Sequence, residues 1–377
     1  MMKTGKKSKI IITIVFIFAL IVLCGCVFPG IYTWETTAEE SAEEIPSAEA
    51  GGETLEVHFI DVGQGDSTLI RYGDHAMLID AGDPYSGETV RAYLDSQGIE
   101  ALDAVVWTHP DSDHIGGAAL IIEEYDIGTV YMTDMSSDVY AYTNLINALN
   151  AAGISYTVPA PGDKFALGEA VATFLGPIDT SDNMNDNSIA LILNYGEISF
   201  LFTGDAESAE EEALMEMWPD LSATVYQAGH HGSAKSSGRS FLEEITPSFV
   251  VVSCGEGNDY GHPHKNFLSR VAAVGALLFR TDLQGTIVAR TDGTDISWDK
   301  EPTDDMTPGV TTEEVTRTIP DGIKYIGNSK NMKLHRVDCT STLPKESNRQ
   351  YFYTLEEAIE AGYTDANQCK NCRPFDE

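Results

Sequence analysis

From Leu55 to Asp61 the side chains alternate, Leu-Glu-Val-His-Phe-Ile-Asp, and the run stops at Gly63-Gln64-Gly65-Asp66. Period-two alternation closed by a glycine turn predicts a half-buried strand. The same reasoning predicts short strands at 67–71, 76–80, 103–107, 170–175, 188–194, 198–203, 223–227, 248–253 and 284–290. Apolar positions at helical spacing predict helices at 87–97, 138–151, 206–217, 238–245 and 265–274. Strand pairs come first and strands alternating with helices follow, so the pattern predicts an α/β chain of two sheets with helices packed outside them. No internal repeat is visible.

Both ends break this pattern. Lys3, Lys6, Lys7 and Lys9 precede a 14-residue apolar stretch, Ile10 to Leu23. That is the layout of a secretory signal, and it is short for a membrane span, which needs about 20 residues. Leu23-Cys24-Gly25-Cys26 resembles a bacterial lipobox, in which the last cysteine is acylated after cleavage; Cys24 departs from the small residue usual there. The expectation is a lipoprotein-type signal over 1–25 with Cys26 lipidated, the alternative being an uncleaved signal anchor. Either places the chain on the extracellular face of the cytoplasmic membrane. Residues 26–53 read as an acidic linker, with seven Glu over 30–53 and no periodic apolar face. Residues 299–319, rich in Thr, Pro and acids, read as a second linker. Two folded units are left, 54–298 and 320–377.

Composition narrows the function. With 59 acidic against 23 basic residues the net charge is −36. Such a field repels a nucleic-acid duplex, which argues against a general-purpose nucleic-acid binder. Six cysteines, unevenly placed, do not make a disulfide scaffold.

The chemistry sits at predicted strand ends. Ala104–Thr108 runs into His109-Pro110-Asp111-Ser112-Asp113-His114-Ile115-Gly116-Gly117. Four potential ligands within six residues can surround a cation, and imidazole with carboxylate suits zinc, manganese or iron. A polar loop with a helix cap at Asp113 would explain one carboxylate but not two flanking histidines. A second predicted strand ends in Thr203-Gly204-Asp205, and a third in Gly229-His230-His231-Gly232-Ser233. Asp205 is placed to bridge two cations.

In this order, the three motifs resemble the metallo-β-lactamase superfamily, and more closely the hydrolase domain of ComEC-type competence proteins. Val62–Ser67, Leu78–Gly82, Asn187-Ser188, Tyr260-Gly261-His262-Pro263-His264 and Arg280-Thr281-Asp282 extend the likeness over essentially all of 55–298. The resemblance does not extend to the multi-spanning channel of those proteins, so transport is not expected to carry over. The resemblance implies a four-layer αββα sandwich with two divalent metal ions, zinc or manganese, at the sheet edges. Asp111 stands where the commoner motif has a second His. One site then uses His109, Asp111 and Asp205; the other uses Asp113, His114, Asp205 and either His230 or His231, with His230 preferred as first off the strand. Asn187 stands near the place of the usual middle His ligand and is expected at the substrate. A hydroxide held between two cations would attack a phosphoryl group, with Asp111 or Asp113 orienting it. Ser233 and His262 would contact the phosphate, or His262 would protonate the leaving oxygen. Gly63, Gly65 and Asp66 are expected to shape a turn beneath the site, and His58, His75 and Cys254 to be structural.

The C-terminal unit carries His335-x3-Cys339 and Cys369-x2-Cys372. A Cys3His set at paired short spacings is a structural-zinc signature, whereas a disulfide reading leaves one cysteine odd. Tyr325–Lys330, His335–Cys339, Glu356–Ala358, Ala361–Tyr363 and Cys369–Pro374 resemble the zinc-binding domain of Ada. His335 replaces a cysteine of Ada itself, so the resemblance implies a structural or DNA-contacting module, not alkyl transfer.

Three functions are consistent with these residues. The first is an extracellular, lipid-anchored phosphodiesterase acting on DNA. The second keeps the metal site and changes the substrate to phosphocholine, a teichoic-acid ester or another small phosphoester. The third is a non-catalytic DNA or cell-wall binding protein. No protein partner is identifiable. The unit at 54–298 holds 9 basic and 37 acidic residues and the unit at 320–377 holds 8 and 9, so a grip on DNA phosphates is expected in the small unit.

Overall fold

The computed structural model describes residues 53–310, 323–330, 332–337, 348–370 and 372–375. The signal segment, Cys26, nearly all of the first linker, residues 311–322 and Cys339 lie outside the described residues. No helix among the described residues is long and apolar enough to cross a membrane.

The strands in chain order are β1 Leu55–Phe59, β2 Thr68–Tyr72, β3 His75–Ile79, β4 Ala101–Trp107, β5 Asp126–Met132, β6 Tyr156–Thr157, β7 Lys164–Leu167, β8 Ala170–Gly176 and β9 Ala190–Tyr195. They continue with β10 Ile198–Phe202, β11 Val225–Gln227, β12 Phe249–Val252, β13 Leu277–Arg280, β14 Ile287–Thr291 and β15 Ile296–Trp298. The helices are α1 Gly87–Ser96, α2 Ser112–Ile115, α3 Ala118–Glu124, α4 Tyr140–Ala152, α5 Ser208–Met217, α6 Arg239–Ile245, α7 Lys265–Val274 and α8 Thr281–Gln284.

One sheet runs β15-β14-β1-β2-β3-β4-β5-β6 and the other β13-β12-β11-β10-β9-β8-β7. Each is antiparallel on one side and parallel on the other: β3 to β6 in the first, β10 to β13 in the second. Alternation along β4 shows how the layers form. Ala104 and Val106 face the apolar layer between the sheets, beside Phe59, Phe174, Phe200 and Phe202. Val105 and Trp107 face the opposite way, against Val90 and Leu94 of α1, Ile121 of α3 and Leu145 of α4. Beyond the second sheet, Leu214 of α5, Phe241 of α6 and Phe267 of α7 close a third layer. The arrangement is the four-layer αββα sandwich expected. Its two parallel halves end at one edge, where ligands gather in open α/β sheets.

Residues 299–310 depart from the expected solvated tether. Thr303 N donates to Leu278 O (2.7 Å), Gly309 N to Pro263 O (3.0 Å), and the buried Arg280 guanidinium to Thr307 O (2.6 Å) while it pairs with Asp282. Backbone carbonyls are the acceptors, so composition could not reveal this anchoring.

The small unit is a three-stranded antiparallel sheet, β16 Tyr325–Asn328 between β17 Lys333–Arg336 and β18 Arg349–Phe352, with helix α9 Leu355–Glu360. Thr354 and Glu357 form a capping box at the start of α9. Among the described residues its core cluster is Tyr325, Leu334, Phe352, Ala358 and Tyr363, small for independent stability.

Candidate metal centre

Loops from both sheets meet at the shared edge, and three of the site's non-glycine residues there take left-handed backbone. After β3, Asp80 takes a positive φ of 56°; after β11, His230 and His231 take 50° and 54°. Non-glycine residues pay strain there, and such residues concentrate at functional sites. Gly65 permits a close approach: a Cβ there would press on Asp113 O, so this glycine lets the Gly63–Asp66 turn lie against the Asp113 loop.

Asp205 is the hub. Its Oδ1 lies 3.1 Å from His114 Nε2 and 3.6 Å from His231 Nε2; its Oδ2 lies 3.5 Å from His230 Nε2 and 3.9 Å from His109 Nε2. Asp111 adds a carboxylate 3.7 Å from His109, and Asp113 one 3.3 Å from His231. Two ligand sets share Asp205: His109, Asp111 and His230 on one side, Asp113, His114 and His231 on the other. The preferred partner of Asp113 and His114 is therefore corrected from His230 to His231. Two successive left-handed residues send the neighbouring imidazoles to opposite oxygens of one carboxylate.

The residues fit a cation. His109 Nε2, His114 Nε2, His231 Nε2 and Asp205 Oδ1 are all buried without a hydrogen-bond partner. Leaving a buried polar atom unsatisfied costs about 1–3 kcal/mol. Unpartnered imidazole nitrogens gathered about a buried carboxylate are a donor set that a divalent ion satisfies, and imidazole with carboxylate suits zinc or manganese. Asp66, His114, Asp205 and His231 also form a group whose ligand atoms lie within 4.8 Å of one another.

Each buried imidazole is oriented from behind. Thr108 Oγ1 donates to Asp80 Oδ2 (2.6 Å), so it accepts from His109 Nδ1 (3.2 Å). His114 Nδ1 donates to Asp80 Oδ2 (2.8 Å), and His231 Nδ1 lies 3.2 Å from Asp66 Oδ1 and 3.0 Å from Ser253 O. In every case Nε2 is left to face the centre, the arrangement that sets tautomer and direction in metal-ligating histidines. Neither Asp66 nor Asp80 was expected in this role. Their one sequence signal is a carboxylate directly flanking a strand and adjoining a glycine turn. Further back, Thr68 Oγ1 donates to Gln227 Oε1 (3.0 Å), and Gln227 Nε2 donates to Ser253 Oγ (3.1 Å), tying the two sheets together.

The two sides differ in depth. Asp80 and Asp66 back the Asp113 side, where His114 and His231 side chains are 0% and 1% exposed. On the other side Asp111 is 38% and His230 20% exposed, and His230 Nδ1 has only looser contacts, Asn185 Nδ2 at 3.3 Å and Glu207 Oε1 at 3.4 Å.

Electrostatics favour positive charge at this point. Burial alone would lower His114 and His231, yet Asp205, with Asp80 and Asp66, raises both well above the ordinary value. Burial would raise Asp205 and Asp113, and the surrounding imidazoles hold both carboxyls below their usual range. His262 is lowered to about 3, first by burial and then by His231 and His230.

The remaining expected residues are distributed unevenly. The His262 ring lies 5.5 Å from His230 and 6.0 Å from His231, beside the centre as expected. Asn187, expected at the substrate, has its amide engaged in its own loop, where it accepts from Ser181 N and donates to Ser181 O and Asn183 O. Ser188, next to it, accepts from Asp205 N and fixes the hub. Ser233 is buried, and its Oγ accepts from Lys235 N at 3.3 Å. The short helix within the histidine-aspartate motif begins after Asp111, not Asp113, with no side-chain cap. His58 is remote from the centre, bonded to Tyr93 (2.8 Å), and Cys254 is buried. In the small unit, His335, Cys369 and Cys372 come together as a group that could hold a metal ion, and Cys372 Sγ accepts from Arg336 N.

Comparison with known proteins agrees with this geometry. Residues 60–256 match the model of the metallo-beta-lactamase superfamily, and residues 317–374 match the metal binding domain of Ada. The chain is 30% identical over 255 residues to ComE operon protein 3 of Bacillus subtilis, covering 62% of this chain and 33% of that protein. It is 30% identical over 249 residues to Competence protein ComA of Neisseria gonorrhoeae (65% and 33%). It is 25% identical over 242 residues to Recombination protein 2 of Haemophilus influenzae (62% and 28%). The chain thus spans about a third of the length of these curated relatives.

Proposed function

The chain belongs to the metallo-β-lactamase superfamily, and from that membership we propose that it is a metal-dependent phosphodiesterase acting on DNA. The observation that carries the reading is the set of four buried, unpartnered ligand atoms around Asp205. A degenerate binding protein would have no reason to keep them. Two divalent cations, zinc or manganese, would supply Lewis-acid charge to a phosphoryl oxygen and to the attacking water.

The chain's own residues do the rest. Asp205 lies between the two ligand sets, with His109 and His230 toward one oxygen and His114 and His231 toward the other, Asp111 beside His109 and Asp113 beside His231. Asp111 and Asp113 are the carboxylates of the centre that reach solvent, at 38% and 26% exposure, and are placed to accept from a water and aim it. Attack on phosphorus breaks the bond to the leaving oxygen. The His262 imidazole, whose Nδ1 has no partner, offers that oxygen a hydrogen bond. Asp66 and Asp80 hold two of the histidines in register.

DNA is favoured as substrate by the relatives' names, two competence proteins and one recombination protein. The small unit, with its near-balanced charge and its His335, Cys339, Cys369, Cys372 set for one structural zinc, supplies the basic density that the body lacks. The lysine-rich apolar leader and Cys26 support placement outside the cytoplasmic membrane on a lipid anchor. The excess of acids in the body favours a second reading, a small phosphoester as substrate. Incubation with single- and double-stranded DNA plus manganese or zinc separates the two. Cleavage that is lost with chelator and in Asp113→Ala supports the nuclease. Turnover of bis-p-nitrophenyl phosphate without DNA cleavage would move the assignment to the small ester.

A further inference from the structure

Beyond the metal ligands, the edge carries a short ladder of rings. His262 lies 5.5 Å from His230, and Tyr260 stacks on His262 at 5.5 Å with the planes 19° apart. His264 meets His262 edge-on at 4.8 Å. Tyr260 ends the ladder, and it is 54% exposed.

The loop beneath holds these rings in place. Asn258, only 6% exposed, accepts from Tyr260 N (3.1 Å) and His262 N (3.0 Å) and donates to Gly255 O (2.9 Å) and His262 O (2.6 Å). The backbone at Tyr260 is therefore fixed without help from its own ring. A surface tyrosine with one face against a parallel imidazole and more than half its area in water contributes little to the core. Its remaining face suits a flat π-system, and every nucleobase has one.

Resting on the phosphodiesterase reading, we propose that Tyr260 is the stacking platform for a base next to the scissile phosphate, and that the preferred substrate is single-stranded. Two ring steps separate the metal ligands from Tyr260, the reach of a nucleotide whose phosphate sits at the centre. In a duplex each base is already stacked, so the platform favours unpaired strands. The acidic body gives the idea its logic. With 9 basic against 37 acidic residues over 54–298, the domain cannot rely on phosphate contacts, and stacking supplies affinity that does not require cations.

The test uses the full-length protein with manganese, a short oligothymidylate, and a strand of equal length made of abasic phosphodiesters. Stacking on one aromatic side chain changes affinity by about 5- to 150-fold. The wild type should show a KM higher by about that factor on the abasic strand. Tyr260→Ala should raise KM on oligothymidylate toward the abasic value, change KM on the abasic strand far less, and be rescued by Tyr260→Phe. Fluorescence anisotropy in chelator should show the same pattern in Kd. Equal effects of Tyr260→Ala on both strands, or none, would overturn the stacking role while leaving the nuclease intact. Turnover of bis-p-nitrophenyl phosphate with neither strand cut would overturn the nuclease reading and this proposal with it.

Discussion

Replacing Asp80 by asparagine isolates what a carboxylate behind a histidine does. Asp80 Oδ1 accepts from Thr108 N (2.8 Å), while Oδ2 accepts from Thr108 Oγ1 (2.6 Å) and from His114 Nδ1 (2.8 Å). In Asp80→Asn the amide oxygen can keep the Thr108 N–H, but the NH2 then faces His114 Nδ1. Two donors cannot share that contact, so Nδ1 must present its lone pair and the ring proton moves to Nε2. That is the atom facing Asp205 Oδ1 at 3.1 Å, and once protonated it no longer ligates. Loss of such an orienting partner costs about 10- to 100-fold in metal affinity, or about 1.4–2.7 kcal/mol.

Asp66→Asn should behave differently. His231 Nδ1 also faces Ser253 O at 3.0 Å, and a carbonyl only accepts, so the N–H stays on Nδ1 and the loss should be under about tenfold. Competition against a chromogenic chelator, with metal content measured in parallel, reads both variants without recourse to activity. Asp80→Asn holding its cations with wild-type affinity would refute the tautomer argument. Equal losses in the two variants would reduce it to simple removal of negative charge.

Two further outcomes follow from other parts of the chain. Burial pushes Glu210 and Glu211 of α5 up to about 7; because the folded state then holds protons that the unfolded chain releases above about 4.5, stability should fall as pH rises from about 4.5 to about 7. Glu211, which accepts from Ser237 N and Gly238 N, cannot ionise as Glu211→Gln. Between acidic and mildly alkaline pH, urea unfolding should therefore shift in the variant's favour by up to about 3 kcal/mol, and a difference that ignores pH would contradict the burial argument. In the small unit, Cys372→Ser should remove about one zinc per full-length chain, measured by elemental analysis, and leave the cations at Asp205 in place; unchanged zinc content would show that Cys372 Sγ is not a ligand.

The sequence made the sandwich and its metal loops legible because both are local signals. Strand β4 carries its own alternation and runs straight into four ligands. Strand β5 was missed: it opens on Asp126, and Gly128 interrupts it where a Cβ would press on Asp103 O. Helix α3 was missed because it begins directly after the Gly116-Gly117 pair, whose glycines read as loop. The site was misread wherever function depended on partners distant in sequence. Asp66 meets His231 across 165 positions and Asp80 meets His114 across 34, so neither looks like more than a turn residue on its own strand. Asn187 shows the opposite sense, since a local loop engages the amide that motif position alone had assigned to substrate. The choice between His230 and His231 turned on backbone strain. Adjacent residues in an extended strand would point to opposite faces, and only the two left-handed residues let both imidazoles reach one carboxylate. Ligand type is therefore written in composition and spacing, while ligand direction is written in contacts that the fold alone creates.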